Sequence, residues 1–451
     1  MKSQVSGRGL TGRQRHWLSF CLMGVLLTNT VSWANFERCG LRAYRLSALS
    51  WMFRRSKILW DVLWNASIRI VLTRYGLREG VLVIDDTDHR RAKRTQRIYR
   101  AHKIYDKKTG GYFNGQSLVF LLLVTPTLTV PVGFCFNAPD PRQVAWRKED
   151  KRLKKKKIPA SQRPPRPAPD SAYPTKQQQS LTLIETFRRA HPQVHIRAVL
   201  ADALYGTQGF MDQASELCGE AQTVSQLRAN QKVRFRGKER SLSDFFTLYP
   251  SVKQRLRVRG GTEEIEIRVS SARVQVCAHG KKRFVIAMRY PDEKTDRYLV
   301  AKDMSWRTLD IVRVYTLRWL VEVFFEDWKL NEGWGQQAKQ PDEEGSSRSL
   351  ILSLLLDHAL LLHPEQTARL KHQEPACTVG SLRQYCHGEA LVDAFRQVLN
   401  VEDPSRQFEQ LADTIREVFS LAPSSKHMVG RDLGRQEPTP SLRYQAAEAC
   451  A

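Results

Sequence analysis

The sequence predicts an α/β protein, with helical segments at both ends. Three observations carry that prediction. Two short apolar runs each end in aspartate, VLVIDD at 81–86 and IRAVLAD at 196–202 (the second from Ile196). A longer apolar stretch, 115–137, is split by TPTLT. The segment YTLRWLVEVFFEDWK at 315–329 repeats its apolar residues at helical spacing, with no Pro or Gly inside it.

The bulk composition narrows the function. A chain of 451 residues is long enough for several domains and a large core. Its 72 Lys and Arg outnumber 46 Asp and Glu, a net charge of +26, and such an excess points to a polyanion, most simply nucleic acid. A membrane surface fits less well, because no lipidation motif is present and the mean hydropathy is −0.45. Eight cysteines are scattered without a CxxC pair, which argues against a zinc ribbon or a thioredoxin-like site and fits a reducing cytosol. WLSFCLMGVLLT at 17–28 is too short to span a bilayer and reads as a core helix rather than a signal peptide.

In chain order, residues 1–77 carry helical periodicity and a scatter of basic residues, among them Arg8, Arg13, Arg15, Arg54 and Arg55. A small DNA-binding domain and a helical cap on the next domain fit equally, and no clean helix-turn-helix turn is visible. After Gly76 and Gly80, VLVIDDTD reads as a buried central strand ending in carboxylates. Asp85 and Asp86 must point to opposite sheet faces, so only one faces inward, and Asp86 and Asp88 compete with Asp85 for that role. The next stretch, 90–103, holds seven Lys or Arg, with Arg97, Arg100 and Lys103 as candidate phosphate contacts. Residues 115–137 supply two more buried strands.

KRLKKKK at 151–157, followed by PPRPAP, reads as a solvated, partly disordered linker between 147 and 173. A helix over 177–190 leads to the strand ending in Asp202. Residues 222–300 alternate like half-exposed strands. Thr308 is a candidate N-cap. The glycines of NEGWGQQ stop the 315–329 helix, 349–363 reads as a buried packing helix, and amphipathic helices follow over 380–421.

Within 315–329, Tyr315, Arg318, Glu322 and Lys329 sit at offsets of −7, −4, 0 and +7, which return to nearly one angle at 3.6 residues per turn. That line combines a carboxylate able to hold a metal ion with cations able to hold a phosphodiester. Glu326, four residues on, lies on nearly the same face and competes with Glu322.

This Y-x2-R-x3-E-x6-K spacing resembles the signature of bacterial insertion-sequence transposases of the DDE type. Asp85 with Thr87, and Asp202-x2-Tyr205-Gly206, resemble that family's first two acidic blocks. The resemblance implies a ribonuclease H-like catalytic core over 78–221 and 301–370, interrupted by a β-rich insertion at 222–300. A helical region at 1–77, C-terminal helices at 371–423 and a disordered tail at 424–451 would flank it. It further implies that Asp85, Asp202 and Glu322 are both the catalytic residues and the metal ligands. Three carboxylates without Cys or His suit Mg²⁺, with Mn²⁺ as surrogate, and two ions suit an in-line displacement. Tyr315, Arg318 and Lys329 would handle DNA. The implied partner is double-stranded DNA, both terminal inverted repeats and target, bound by a homodimer in the bacterial cytoplasm at the nucleoid, with no membrane. A nuclease or resolvase that cuts without joining, and a non-catalytic DNA-binding derivative, remain as alternatives.

Overall fold

A computed structural model of the chain describes residues 9–91, 98–257, 264–336 and 340–419. Four helices come first: α1 (Gly12–Thr28), α2 (Trp33–Cys39), α3 (Leu46–Arg55) and α4 (Trp60–Arg74). A capping box between Thr11 and Gln14 starts α1. WLSFCLMGVLLT lies in α1, with Trp17, Cys21 and Val25 fully buried. The helices close around an aromatic cluster in which Trp17 meets Trp60 edge-on at 6.2 Å and Phe53 meets Trp33 at 4.8 Å.

Strands β1 (Glu79–Arg90), β2 (His102–Asp106), β3 (Gly111–Val124) and β4 (Thr129–Asn137) follow, then α5 (Pro141–Lys155), α6 (Lys176–Ala190), β5 (His195–Ala201) and α7 (Gln208–Leu217). Next come β6 (Gln222–Leu227), β7 (Lys232–Phe235), β8 (Lys238–Ser241), α8 (Leu242–Thr247), β9 (Val252–Arg257), β10 (Glu264–Val276), β11 (Lys281–Arg289) and β12 (Arg297–Ala301). The chain finishes with α9 (Thr308–Thr316), α10 (Leu320–Asn331), α11 (Glu343–Leu361), α12 (Pro364–Lys371), α13 (Val379–Leu399) and α14 (Pro404–Val418).

The strands form one twelve-stranded sheet, ordered β2-β3-β1-β5-β6-β12-β11-β10-β7-β8, with β4 beside β3 and β9 beside β10. β1, β5 and β6 run parallel, and their neighbours are antiparallel. The strands of 222–300 therefore continue the central sheet, because β6 pairs with β5 and β12 returns beside β6. The central strands are apolar along their length because helices cover both faces. Leu118 to Leu123 on β3 are fully buried.

Several expectations are corrected. The expected linker at 147–173 is ordered: α5 starts at Asp140, whose side chain accepts from Arg142 N, with Pro141 at the first helical position, where its missing N–H costs nothing. Composition had disguised a capped helix as a linker. A second strand, β2, follows the basic run, so four strands rather than three precede α5. Arg307, not Thr308, occupies the N-cap of α9, without a side-chain bond, and the Thr308 hydroxyl instead meets that of Ser271 at 2.8 Å. The expected single helix over 315–329 tightens into a 3-10 turn at Leu317–Trp319 before α10 resumes. The tail from 424 onward lies outside the described residues. Among the described residues no single helix is long and apolar enough to cross a membrane; α11 and α12 reach that length only as a pair bent by 47°.

Candidate active site where β1 passes the end of β5

The parallel register of β1 and β5 pairs Ile84 with Ala201, so Asp85 and Asp202 are the next residue out on each strand. β5 stops there. Asp202 Oδ1 accepts from Leu204 N at 2.8 Å and caps a 3-10 turn over Ala203–Tyr205. β1 does not stop: its ladder with β3 runs five residues further, to Arg90 opposite Gly115. The expectation that the first aspartate ends its strand is corrected accordingly. Asp85 lies where β1 loses its neighbour on one side and keeps it on the other.

α10 is set over this point by packing. Phe120 is the cross-strand partner of Asp85, and Phe324, Phe325 and Trp328 of α10 surround it with ring centroids at 5.6, 5.5 and 5.0 Å. Edge-to-face contacts of this kind each add roughly 0.5–1.5 kcal/mol beyond area burial. The polar side of the helical segment then reaches β1. Arg318 Nη1 donates to Asp85 Oδ2, and Lys329 Nζ donates to Thr87 Oγ1 and to the Asp88 carbonyl. The two cations lie about three turns apart along the helix and hold the same edge of β1.

The alternation of β1 separates its acids. Asp85 and Thr87 are buried on the α10 side, each 7% exposed. Asp86 turns to the opposite face and pairs with Lys176 at the start of α6. Asp88 is exposed. Burial drives the Asp85 carboxyl up to about 7; Arg318 pulls it back, while the charge of Asp202 adds to the rise. Burial also raises Asp86, against the opposing pull of Lys176. Burial lowers the Lys329 ammonium, and Asp88 and Glu322 oppose that shift. Glu322 is exposed on α10, and its charge acts on both Arg318 and Lys329. Glu326 is also exposed, and its charge acts on Asp327 instead.

The remaining expected contacts are placed as follows. Tyr315 does not share an open face with Arg318 and Lys329: it is buried, its hydroxyl 3.3 Å from the Ala201 carbonyl, where it steadies the end of β5. Arg100 binds the carbonyls of Phe136 and Ala172 and lies over the Tyr99 ring. Lys103 is exposed on β2. Arg97 lies outside the described residues.

Two groups of residues at the site carry no local sequence signal. Arg283, 2% exposed, donates to Asp212 at 2.6 Å and to His279 Nδ1 at 3.2 Å. With Nδ1 accepting, His279 Nε2 carries the proton and donates to the Gly206 carbonyl at 3.0 Å. This chain of bonds braces the turn after Asp202 from β11. Beyond Asp88, His89 and Arg91 pack against Trp334, and burial with two nearby cations holds the imidazole down at about 3, so it is neutral.

The acids at this site are oxygen donors suited to a hard cation. Burial and the second carboxylate both favour the protonated form of Asp85, and a cation between the two acids would relieve the same repulsion. Among the described residues, however, no three Asp, Glu, His or Cys side chains are gathered closely enough to hold one ion. The guanidinium of Arg318 lies against Asp85 instead. A cavity of about 860 Å³ opens at the other end of β1, lined by Gly80, Thr125, Arg197, Trp306 and Arg313. Arg197 pairs there with Glu79, Arg313 with Asp310 and Arg257 with Glu264, and among the described residues the cavity has no equivalent of the Asp85–Asp202 pair.

Asp85 on β1 and Asp202 at the end of β5 thus lie side by side, under a helical segment that brings Arg318 and Lys329 to β1. The family described as DDE superfamily endonuclease matches residues 8–244, more than half of the chain, and the chain belongs to it. The family described as transposase DDE domain matches residues 169–337. The first match spans Asp85 and Asp202, and the second spans Asp202 and Glu322. No curated protein matches the sequence. Among solved structures, the NurA nuclease from Sulfolobus solfataricus is similar over 58% of this chain and 82% of its own, at 6% identity and a TM-score of 0.24, too loose a likeness to bear on fold or function.

Proposed function

We propose that the chain is the transposase of a bacterial insertion sequence, acting on double-stranded DNA at the element's terminal repeats and then on target DNA. The observation that supports this most is the placement of Asp85 beside Asp202, where β5 ends and β1 runs on, under a helical segment carrying Arg318, Glu322 and Lys329, in a chain of the DDE family. Asp85, Asp202 and Glu322 are the catalytic residues in this reading. DDE domains generally depend on divalent metal, and in this reading Asp85, Asp202 and Glu322 would hold Mg²⁺ or Mn²⁺ only once Glu322 closes on the two aspartates and Arg318 gives way on Asp85. When bound, the metal supplies Lewis acidity at the phosphate and a more acidic water.

The chain's own residues do the positioning. Arg318 uses one nitrogen on Asp85, which leaves its other N–H groups for the non-bridging oxygens of a phosphodiester. Lys329 adds a point charge two residues further along β1. Tyr315 holds the backbone that carries Asp202. Water attacks phosphorus, the P–O3′ bond breaks, and the freed 3′-hydroxyl then attacks a second phosphodiester, expelling its own 3′-oxygen. Two copies of the chain, each holding one element end, act together in the bacterial cytoplasm. Because the family matched over most of the chain is described as an endonuclease, cleavage without joining is the second reading.

The test is Mg²⁺-dependent cleavage and strand transfer on a labelled element end, with Asp85→Asn, Asp202→Asn and Glu322→Gln compared with Glu326→Gln. Loss of both steps in the first three and retention in the fourth is the expected result. Cleavage without joining by the unaltered protein supports the second reading. Activity that survives Glu322→Gln and not Glu326→Gln moves the third ligand by one turn.

A further inference from the structure

The segment between β4 and α6 is an ordered excursion with an unusual charge arrangement. α5 buries only Gln143, so it is not held by a hydrophobic face. A Pro-rich strap, 158–173, runs back along it and fixes it instead. Trp146 Nε1 donates to the Pro164 carbonyl at 2.8 Å, Arg166 donates to Gln143 at 3.1 Å, and Arg142 pairs with Asp170 at 2.8 Å. The acids of α5 are neutralised within the excursion, Glu149 by Arg152 and Asp150 by both Lys154 and Arg163. Lys148, Lys151 and Lys155 are exposed and form no ion pair among the described residues. Their spacing of three and four places them on one helix face.

Both ends of the excursion are rooted beside the candidate active site. β4 ends at Asn137, level across the sheet with Ser117 and then Asp88. The strap ends where Arg100 binds the Ala172 carbonyl, and the next element opens with Lys176 on Asp86. A solvated basic face is the usual meaning of a charge run. A face whose acids are cancelled, whose lysines point outward and whose backbone is braced without a core fits an anionic partner better.

We propose that α5 is a second phosphate-backbone grip on the duplex whose reacting phosphate lies at Asp85, one that reads no sequence. This rests on the DNA reading above. A helix of 15 residues is about 22 Å long, so the grip falls within roughly six base pairs of its root.

The experiment measures affinity of the full chain for two duplexes of unrelated sequence across a salt series. Removing one lysine that neutralises a phosphate lowers the slope of log K against log salt by about 0.9. The triple variant Lys148→Gln, Lys151→Gln, Lys155→Gln is expected to lower it by about 2.7 on both duplexes, with the corresponding Lys→Arg triple restoring it. Single Lys→Gln variants, each expected to lower it by about 0.9, serve if the triple does not fold. An unchanged slope, or a change on one duplex alone, overturns the proposal. Absence of DNA binding by the unaltered chain overturns the transposase reading instead, so the two failures are distinguishable.

Discussion

Asp85 and Asp357 are both buried carboxyls that face a second acid, and burial raises both. Their surroundings differ. Asp85 lies at a strand edge with Arg318 against it and the exposed Glu322 one turn along the helix. Asp357 faces Glu332 in the packing of α10 on α11, with Asp327 as a third acid. Among the described residues no cation opposes that pair: the neighbouring His358 is stacked on Trp64, binds Ser67 and the Pro131 carbonyl, and is held down at about 4 by burial, hence neutral. The same burial is resolved by a charged partner in one place and by a retained proton in the other. A guanidinium can give way to a substrate or metal. A proton in a closed core serves packing alone.

The sharpest way to break this contrast is to neutralise each acid in turn. Asp85→Asn is expected to cut metal-dependent cleavage on the order of 10³-fold or more, while Asp357→Asn stays within about threefold. Comparable losses in the two variants would show that the inner pair takes part in the chemistry. Next in size is Arg318→Lys, which keeps the charge and loses the fork. Cleavage is expected to fall roughly 10- to 100-fold, with a smaller change in DNA affinity, measured by single-turnover kinetics and equilibrium binding. A change confined to affinity would make Arg318 a binding residue with no role in holding Asp85.

The retained proton predicts a pH dependence of stability. Glu332 and Asp357 both titrate above their unfolded values, so the folded chain binds more protons than the unfolded one once pH exceeds about 4. Stability from this pair is therefore full at low pH and declines as pH rises towards the folded values, by at most about 1.4 kcal/mol per pH unit for each carboxyl. His89 and His358 act in the opposite sense below their unfolded value of about 6.5, so the informative quantity is the difference between variants. Urea unfolding between pH 5 and 8 should give a flatter profile for Asp357→Asn than for the unaltered chain. Parallel profiles would mean that the pair does not hold a proton.

These residues also show what a sequence can and cannot reveal. Asp85 and Asp202 were legible because an apolar run followed by an acid marks a buried strand, and alternation separates Asp85 from Asp86; the strand end was legible for Asp202 alone, since β1 runs on to Arg90. The partner of Asp85 was not legible: Arg318 is 233 residues away, and its spacing from Glu322 suggested an open phosphate-facing line rather than an ion pair. Angle puts Tyr315 on the same helix face as Arg318 and Lys329, and the resemblance puts it at DNA; a helix face is buried or exposed by what packs on it, and the end of β5 packs on this residue. Glu332 reads as part of a helix stop, NEGWG, and nothing local marks it as wholly buried. α5 was hidden by Lys and Pro, since its caps and strap contacts are specific pairings that composition does not register.

The smallest losses of cleavage are expected in the turn after Asp202, at Gly206 and then at His279, and they test whether that turn needs its bracing. Gly206 has a φ of −76°, which any residue adopts, so backbone strain is not the constraint. Space is. A Cβ at this position would lie 2.3 Å from the Gln226 carbonyl oxygen on β6, and a backbone atom within a paired strand cannot yield. Gly206→Ala must then push the Ala203–Tyr205 turn outward, against the bond from His279 to the Gly206 carbonyl, and carry Asp202 with it. A displacement of a few tenths of an ångström at a positioning backbone is expected to lower cleavage roughly tenfold, at a stability cost of about 1–3 kcal/mol. His279→Ala, which removes the brace and adds no bulk, should give a smaller loss in the same direction. If Gly206→Ala cleaves normally while its unfolding midpoint falls, the turn tolerates movement, and the position of Asp202 is set by β5 and Tyr315 alone.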